Sequence, residues 1–161
     1  MTGRILFASA ADVKGGPVAF VIMRNLVSSS GLEGRVRIDS AGLPGKVGDR
    51  VARILVKHAK NLLGFHEALT LQKYRPQVIT EKLLKHQDLV IVMDDEARSS
   101  VREMVKALHP VVRPKVKDLS DYGMAELPNP EEGSGSWSGM IEKLRDELDY
   151  HFRIVMKDAG L

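Results

Sequence analysis

The sequence contains no cysteine. That absence excludes disulfides, thiolate metal sites and thiol nucleophiles together. Aromatic residues are scarce, at 5%, so no aromatic platform accompanies a basic stripe as it does in single-strand nucleic-acid binders. The charge excess is only +3, and Lys and Arg are spread along the chain, with one loose concentration in "HPVVRPKVK" at 109–117. No nucleic-acid partner is expected. Long apolar runs are missing too, and none approaches the ~20 residues a membrane helix needs. The opening "MTGRILFASAADV" has too short an apolar stretch for a signal peptide. The expectation is a cytoplasmic protein without membrane contact.

Metal and cofactor signatures are equally thin. His58, His66, His86, His109 and His151 are scattered without zinc-ligand spacing. Asp94 and Asp95 follow an apolar run and read as the cap of the next helix, not as a metal pair. "GLPGKV" at 42–47 lacks the glycine spacing and the hydroxyl residue of a nucleotide-binding loop. No metal and no cofactor are expected.

What is present is a regular alternation. Ile5–Phe7 is a short apolar run followed by Gly15, Gly16 and Pro17, a strand leading into a helix that Pro17 can open. That helix is dense in apolar residues to about Val27. "GRVRIDSAG" alternates as a strand does. Asp49 is positioned to cap a helix carrying Val51, Ile54, Leu55, Ala59, Leu62 and Leu63, and Gly64 to close it. Residues 65–79 show no period and read as irregular. Thr80 can cap a short helix through Leu84. "DLVIVMDD" at 88–95 is the clearest buried strand, followed by a helix over about 96–108. "VKDL" at 116–119 is a short strand, and 121–136 a long loop rich in Pro, Gly, Ser and acid. From Trp137 to Met156 an apolar stripe keeps helical spacing throughout. The pattern predicts one α/β domain over 1–161, with a four-stranded parallel sheet flanked by helices on both faces. Ligands of such sheets bind beyond the carboxyl ends of the strands, which singles out the loops at Ser9–Gly16, Ser40–Gly48 and Asp94–Asp95.

The order of "ILFASAADVKGGP", "RIDSAG", "VGDRVARILVKHA", "DLVIVMDDEARSSV", "VKDLSDYG" and "NPEEGS" resembles the low molecular weight protein tyrosine phosphatases and their arsenate reductase relatives, over nearly the whole chain. The resemblance implies a phosphate-binding loop after the first strand. In that family a cysteine opens the loop, and an arginine, a serine and a proline close it. Here Ser9 stands at the cysteine position, Asp12 at that of a loop asparagine, Gly15 at the arginine and Gly16 at the serine. The family's general acid, an Asp before a Pro, is Asn129 before Pro130, and Glu131 and Glu132 stand where aromatics follow.

Each replacement removes one chemical role. A serine hydroxyl ionises far less readily than a thiol and needs an adjacent base, and none is evident in sequence, although His66 or Asp94 could approach in space. Gly15 has no guanidinium to clamp phosphoryl oxygens. Asn129 cannot donate a proton to a leaving group as a carboxylic acid does. Asp12, Glu131 and Glu132 add negative charge where a phosphate would sit.

The expectation is therefore a catalytically inactive, phosphatase-like binding or regulatory module, with no catalytic residues and only vestigial positions at Ser9, Gly15 and Asn129. A protein partner is expected around Ser9–Gly16 and the acidic loop at 126–136. One alternative is weak or altered phosphate-ester hydrolysis using Ser9, Lys14 or Asp12. Another is weak binding of phosphate or sulfate by the loop formed by Ser9, Ala10, Ala11, Asp12, Val13, Lys14, Gly15 and Gly16, since backbone amides at a helix start hold anions without side chains. The sequence leaves the oligomeric state open.

Overall fold

The computed structural model describes residues 2–124, 127, 130 and 136–161. Four strands, β1 (Gly3–Ser9), β2 (Val36–Gly42), β3 (Leu89–Val92) and β4 (Lys115–Asp118), form one parallel sheet in the order β2-β1-β3-β4. The helices are α1 (Gly15–Ser29), α2 (Arg53–Leu63), α3 (Phe65–Lys73), α4 (Glu81–Lys85), α5 (Asp95–Lys106), α6 (Trp137–Tyr150) and α7 (Phe152–Asp158).

Strand alternation divides the core into two layers. Ile5, Phe7, Leu89 and Ile91 point one way and pack with Val18, Ile22, Leu55, Leu71, Ile141, Leu144 and Val155 from α1, α2, α3, α6 and α7. Leu6, Ala8, Val90 and Val92 point the other way, onto Leu84 of α4 and Ala97, Val101 and Val105 of α5. Residues 5–8 and 89–91 of the two central strands are fully buried. Burying one such Leu, Ile, Val or Phe side chain contributes about 1.5–3 kcal/mol. The predicted parallel sheet with helices on both faces is what the chain forms.

Local boundaries shift by a few residues at several elements, α1 beginning at Gly15 ahead of Pro17 and β3 spanning only Leu89–Val92, and three differences are larger. α2 begins at Arg53 with Ala52 at its cap position, so Asp49 does not cap it. Val51, counted as helical, instead enters the core from the loop before the helix. Gly64 does close the helix, with φ at 108°. Residues 65–73, read as irregular, form α3, which buries only Ala68 and Leu71. The apolar stripe expected as one helix breaks at His151 into α6 and α7, yet stays in phase across the break: Leu144, Leu148, Val155 and Met156 are all buried.

Candidate functional site

β1 occupies the centre of the sheet. The chain leaves it for β2 on one side and returns through β3 on the other, so the loop after Ser9 lies where the strand order reverses, the usual place for a ligand in an open parallel sheet. Both neighbouring loops grip it. The Ala10 amide donates to Asp94 Oδ2 at 2.9 Å. Asp94 Oδ1 accepts from the Ala97 amide, also at 2.9 Å, and so caps α5. From the β2 side, the Leu43 amide donates to the Ala10 carbonyl and the Gly48 amide to the Ala11 carbonyl, each at 2.9 Å. The three loops singled out in the sequence are thus brought together.

Asp12 is the residue on which the loop turns. Its φ of 56° lies in the left-handed region, which Asp adopts more readily than most residues. Its amide donates to Ser9 Oγ at 3.2 Å. Its carboxylate is only 1% exposed and accepts three bonds: from Ser40 Oγ at 2.5 Å, Tyr74 Oη at 2.5 Å and the Gln77 amide at 3.0 Å. The carboxylate therefore faces β2 and the 74–77 segment. It does not stand in the cradle as a charge opposing a ligand, which corrects the sequence expectation. Burial raises its pKa above the ordinary carboxylate value, against the lowering effect of those three donors. Burial, with Asp12 beside it, also raises that of the Tyr74 phenol.

The two glycines that follow have different surroundings. A Cβ on Gly16 would lie 2.8 Å from Ser40 Oγ and 2.9 Å from Ser9 Oγ, so this position is closed to side chains as the loop stands. Among the described residues, a Cβ on Gly15 would meet only Met93 Cε at 3.5 Å and Leu127 Cδ1 at 3.7 Å, ordinary contacts. The position corresponding to the family's arginine is thus bordered by a thioether and a leucine. Ala10, Ala11, Val13 and Lys14 complete the loop as half-buried residues. Lys14 stands at the cap position of α1, and its side chain makes no capping hydrogen bond.

Among the described residues no base takes the proton of Ser9. Asp94 is near, as the sequence allowed, but its two oxygens hold Ala10 and Ala97. His66 is exposed on α3, and its carbonyl accepts from Thr70 Oγ1 at 3.1 Å. The structure does contain a serine–histidine contact, Ser138 Oγ to His58 Nδ1 at 2.8 Å, which joins α6 to α2 and involves no residue of the loop. Arg98 and Arg102 of α5 engage Asp118 at 3.1 and 3.4 Å, where Asp118 ends β4. Asn129, Glu131 and Glu132 lie outside the described residues.

Sequence reasoning missed Tyr74 and Gln77 as supports of the loop, and placed Ser40 at the start of a neighbouring loop without linking it to Asp12. The residues stand 28, 62 and 65 positions from Asp12, and no local spacing links them to it.

Comparison with known proteins agrees with this fold. A family model described as low molecular weight phosphotyrosine protein phosphatase matches residues 4–159. The chain is 26% identical over 161 residues to the low molecular weight protein-tyrosine-phosphatase YfkJ of Bacillus subtilis, covering 98% of each. The crystal structure of YfkJ superposes with a TM-score of 0.78 at 22% identity, over 98% of this chain and 97% of the other. A protein tyrosine phosphatase from Entamoeba histolytica superposes with a TM-score of 0.76 at 17% identity, over 99% of this chain and 100% of the other.

Proposed function

The chain belongs to the low molecular weight phosphotyrosine protein phosphatase family, and from that premise we propose that it is a catalytically silent member that acts by binding a protein through the face around Ser9–Gly16. The observation that carries this reading is the setting of Ser9. Its oxygen accepts a bond from the Asp12 amide, and no imidazole or carboxylate among the described residues is bonded to it. A serine without a base is a poor nucleophile at neutral pH. Position 15 offers only backbone to an incoming phosphoryl group, and a missing electrostatic donor of that kind typically costs about 10²–10³ in rate. The half-buried alanines and Val13 of the loop, with Met93 and Leu127 beside Gly15, suit contact with a partner's apolar side chains better than capture of a dianion.

The test is turnover of an aryl phosphate by the full chain and by Ser9→Ala. The reading expects hydrolysis indistinguishable from the uncatalysed reaction in both. Measurable turnover that vanishes in Ser9→Ala overturns it and favours an altered hydrolase using that serine.

A further inference from the structure

A cleft of about 330 Å3 opens on the α4/α5 side of the sheet, lined in part by Arg4, Arg37, Asp39, Lys82 and His86. Strand geometry explains its composition. Leu6 faces the α4/α5 layer, and alternation places Arg4 on the same face. The register pairs Arg4 with Arg37 and Leu6 with Asp39, so two arginines lie side by side on neighbouring strands. Like charges at paired positions oppose sheet formation, and the local compensation is incomplete. Asp39 holds Arg37 at 3.2 Å. Asp88 meets the backbone amide of Arg4 at 2.8 Å, but the Arg4 guanidinium forms no ion pair among the described residues. Lys82 and His86, four residues apart on α4 and its end, line the cleft as well, and neither is ion-paired among the described residues. The cleft therefore gathers three fixed cations and a histidine against one carboxylate within it.

We propose that this cleft binds a small dianion, inorganic phosphate or a phosphate monoester, at a site separate from the Ser9–Gly16 loop. Guanidinium forks match phosphate oxygens, and ammonium groups add point charge. The volume lies at the small end of the range for ligand pockets, roughly 300–1,000 Å3, which admits a phosphate with a short organic group. The inference stands whether or not Ser9 has any reactivity.

The experiment is an amide chemical-shift titration of the full chain with inorganic phosphate, and separately with glycerol 2-phosphate, at constant ionic strength. The expected result is saturable shifts at the amides of Arg4, Arg37, Lys82 and His86. Affinity should fall about tenfold in Arg4→Gln and in Lys82→Gln, as loss of a charge-assisted contact implies. Binding of both probes assigns recognition to the phosphate group alone, and binding of the ester only assigns part of it to the organic group. Lys82 is exposed on α4, so its variant keeps the test sound if Arg4→Gln does not fold. Shifts confined to Ala10–Gly16, no saturation below about 10 mM, or unchanged affinity in Lys82→Gln overturns the proposal.

Discussion

The carboxylate of Asp12 and the phenol of Tyr74 lie 2.5 Å apart although 62 residues separate them in the chain. The pair fastens the first loop to the segment after α3, and it places a titratable group in the interior. The sign of its effect follows from the direction of the shift. A carboxyl whose folded pKa is raised favours folding while protonated, so its contribution is present below the ordinary carboxylate pKa and is lost as pH rises through the folded value. Asp12→Asn should therefore stabilise the protein at neutral pH. An asparagine oxygen in place of Oδ2 can accept from Tyr74 and Gln77, and its amide can donate to Ser40 Oγ. A melting temperature higher by about 2–4 °C at pH 7, the shift that ~1 kcal/mol produces at this chain length, should shrink toward zero as pH falls below the ordinary carboxylate pKa. Scanning calorimetry across pH measures it, and an equal or larger advantage in acid contradicts the assignment.

The adjacent glycines should respond oppositely to the same change. Gly16→Ala forces a methyl against the hydroxyls of Ser9 and Ser40 and should cost about 1–3 kcal/mol. Adding Ser40→Ala should return part of that loss, because it removes one of the clashing atoms. Gly15→Ala meets ordinary contacts among the described residues at the start of a helix and should be neutral or mildly stabilising, since alanine exceeds glycine in helix propensity. Urea denaturation of the three variants beside the unaltered chain measures the contrast.

Asp94 serves α5 and the first loop at once. Asp94→Ala should lose the cap, about 0.5–2 kcal/mol, and also free the Ala10 amide. Hydrogen exchange should then accelerate at Ala10 as well as at Ala97. Acceleration at Ala97 alone would mean that the loop is held without this carboxylate.

Ser9→Cys, Gly15→Arg and Asn129→Asp combined should restore some hydrolysis of an aryl phosphate if positions 9, 15 and 129 correspond to the family's nucleophile, clamp and acid. The arginine must extend past Met93 and Leu127, which border position 15, so recovery should be partial. Adding Met93→Ala should increase it. A folded variant without activity in either background argues against the correspondence.

Much of the architecture was legible because burial on both faces leaves continuous apolar strands. Ile5–Phe7 and Leu89–Val92 could hardly be misread. The start of α2 was obscured because Val51 is buried before the helix begins, and a buried valine looks the same in either state. α3 carries too few apolar residues to show a period, although Glu67 in its first turn and Lys73 in its last were available signals. The break at His151 has neither proline nor glycine and leaves the stripe in phase. At the candidate site, the loop and its two neighbours followed from strand order. The partners of Asp12 did not, because they are joined to it only by the folded sheet.

The short ribbon from Gln77 to Thr80 has two duties. Its upper end joins β2 at Gly42, through the Gly42 amide to the Gln77 carbonyl and the Ile79 amide to the Gly42 carbonyl, each at 2.8 Å, and Gln77 also holds Asp12. Gln77, Val78 and Thr80 also form part of the wall of the basic cleft. Four consecutive residues thus form a party wall between two compartments, and Gln77 touches both.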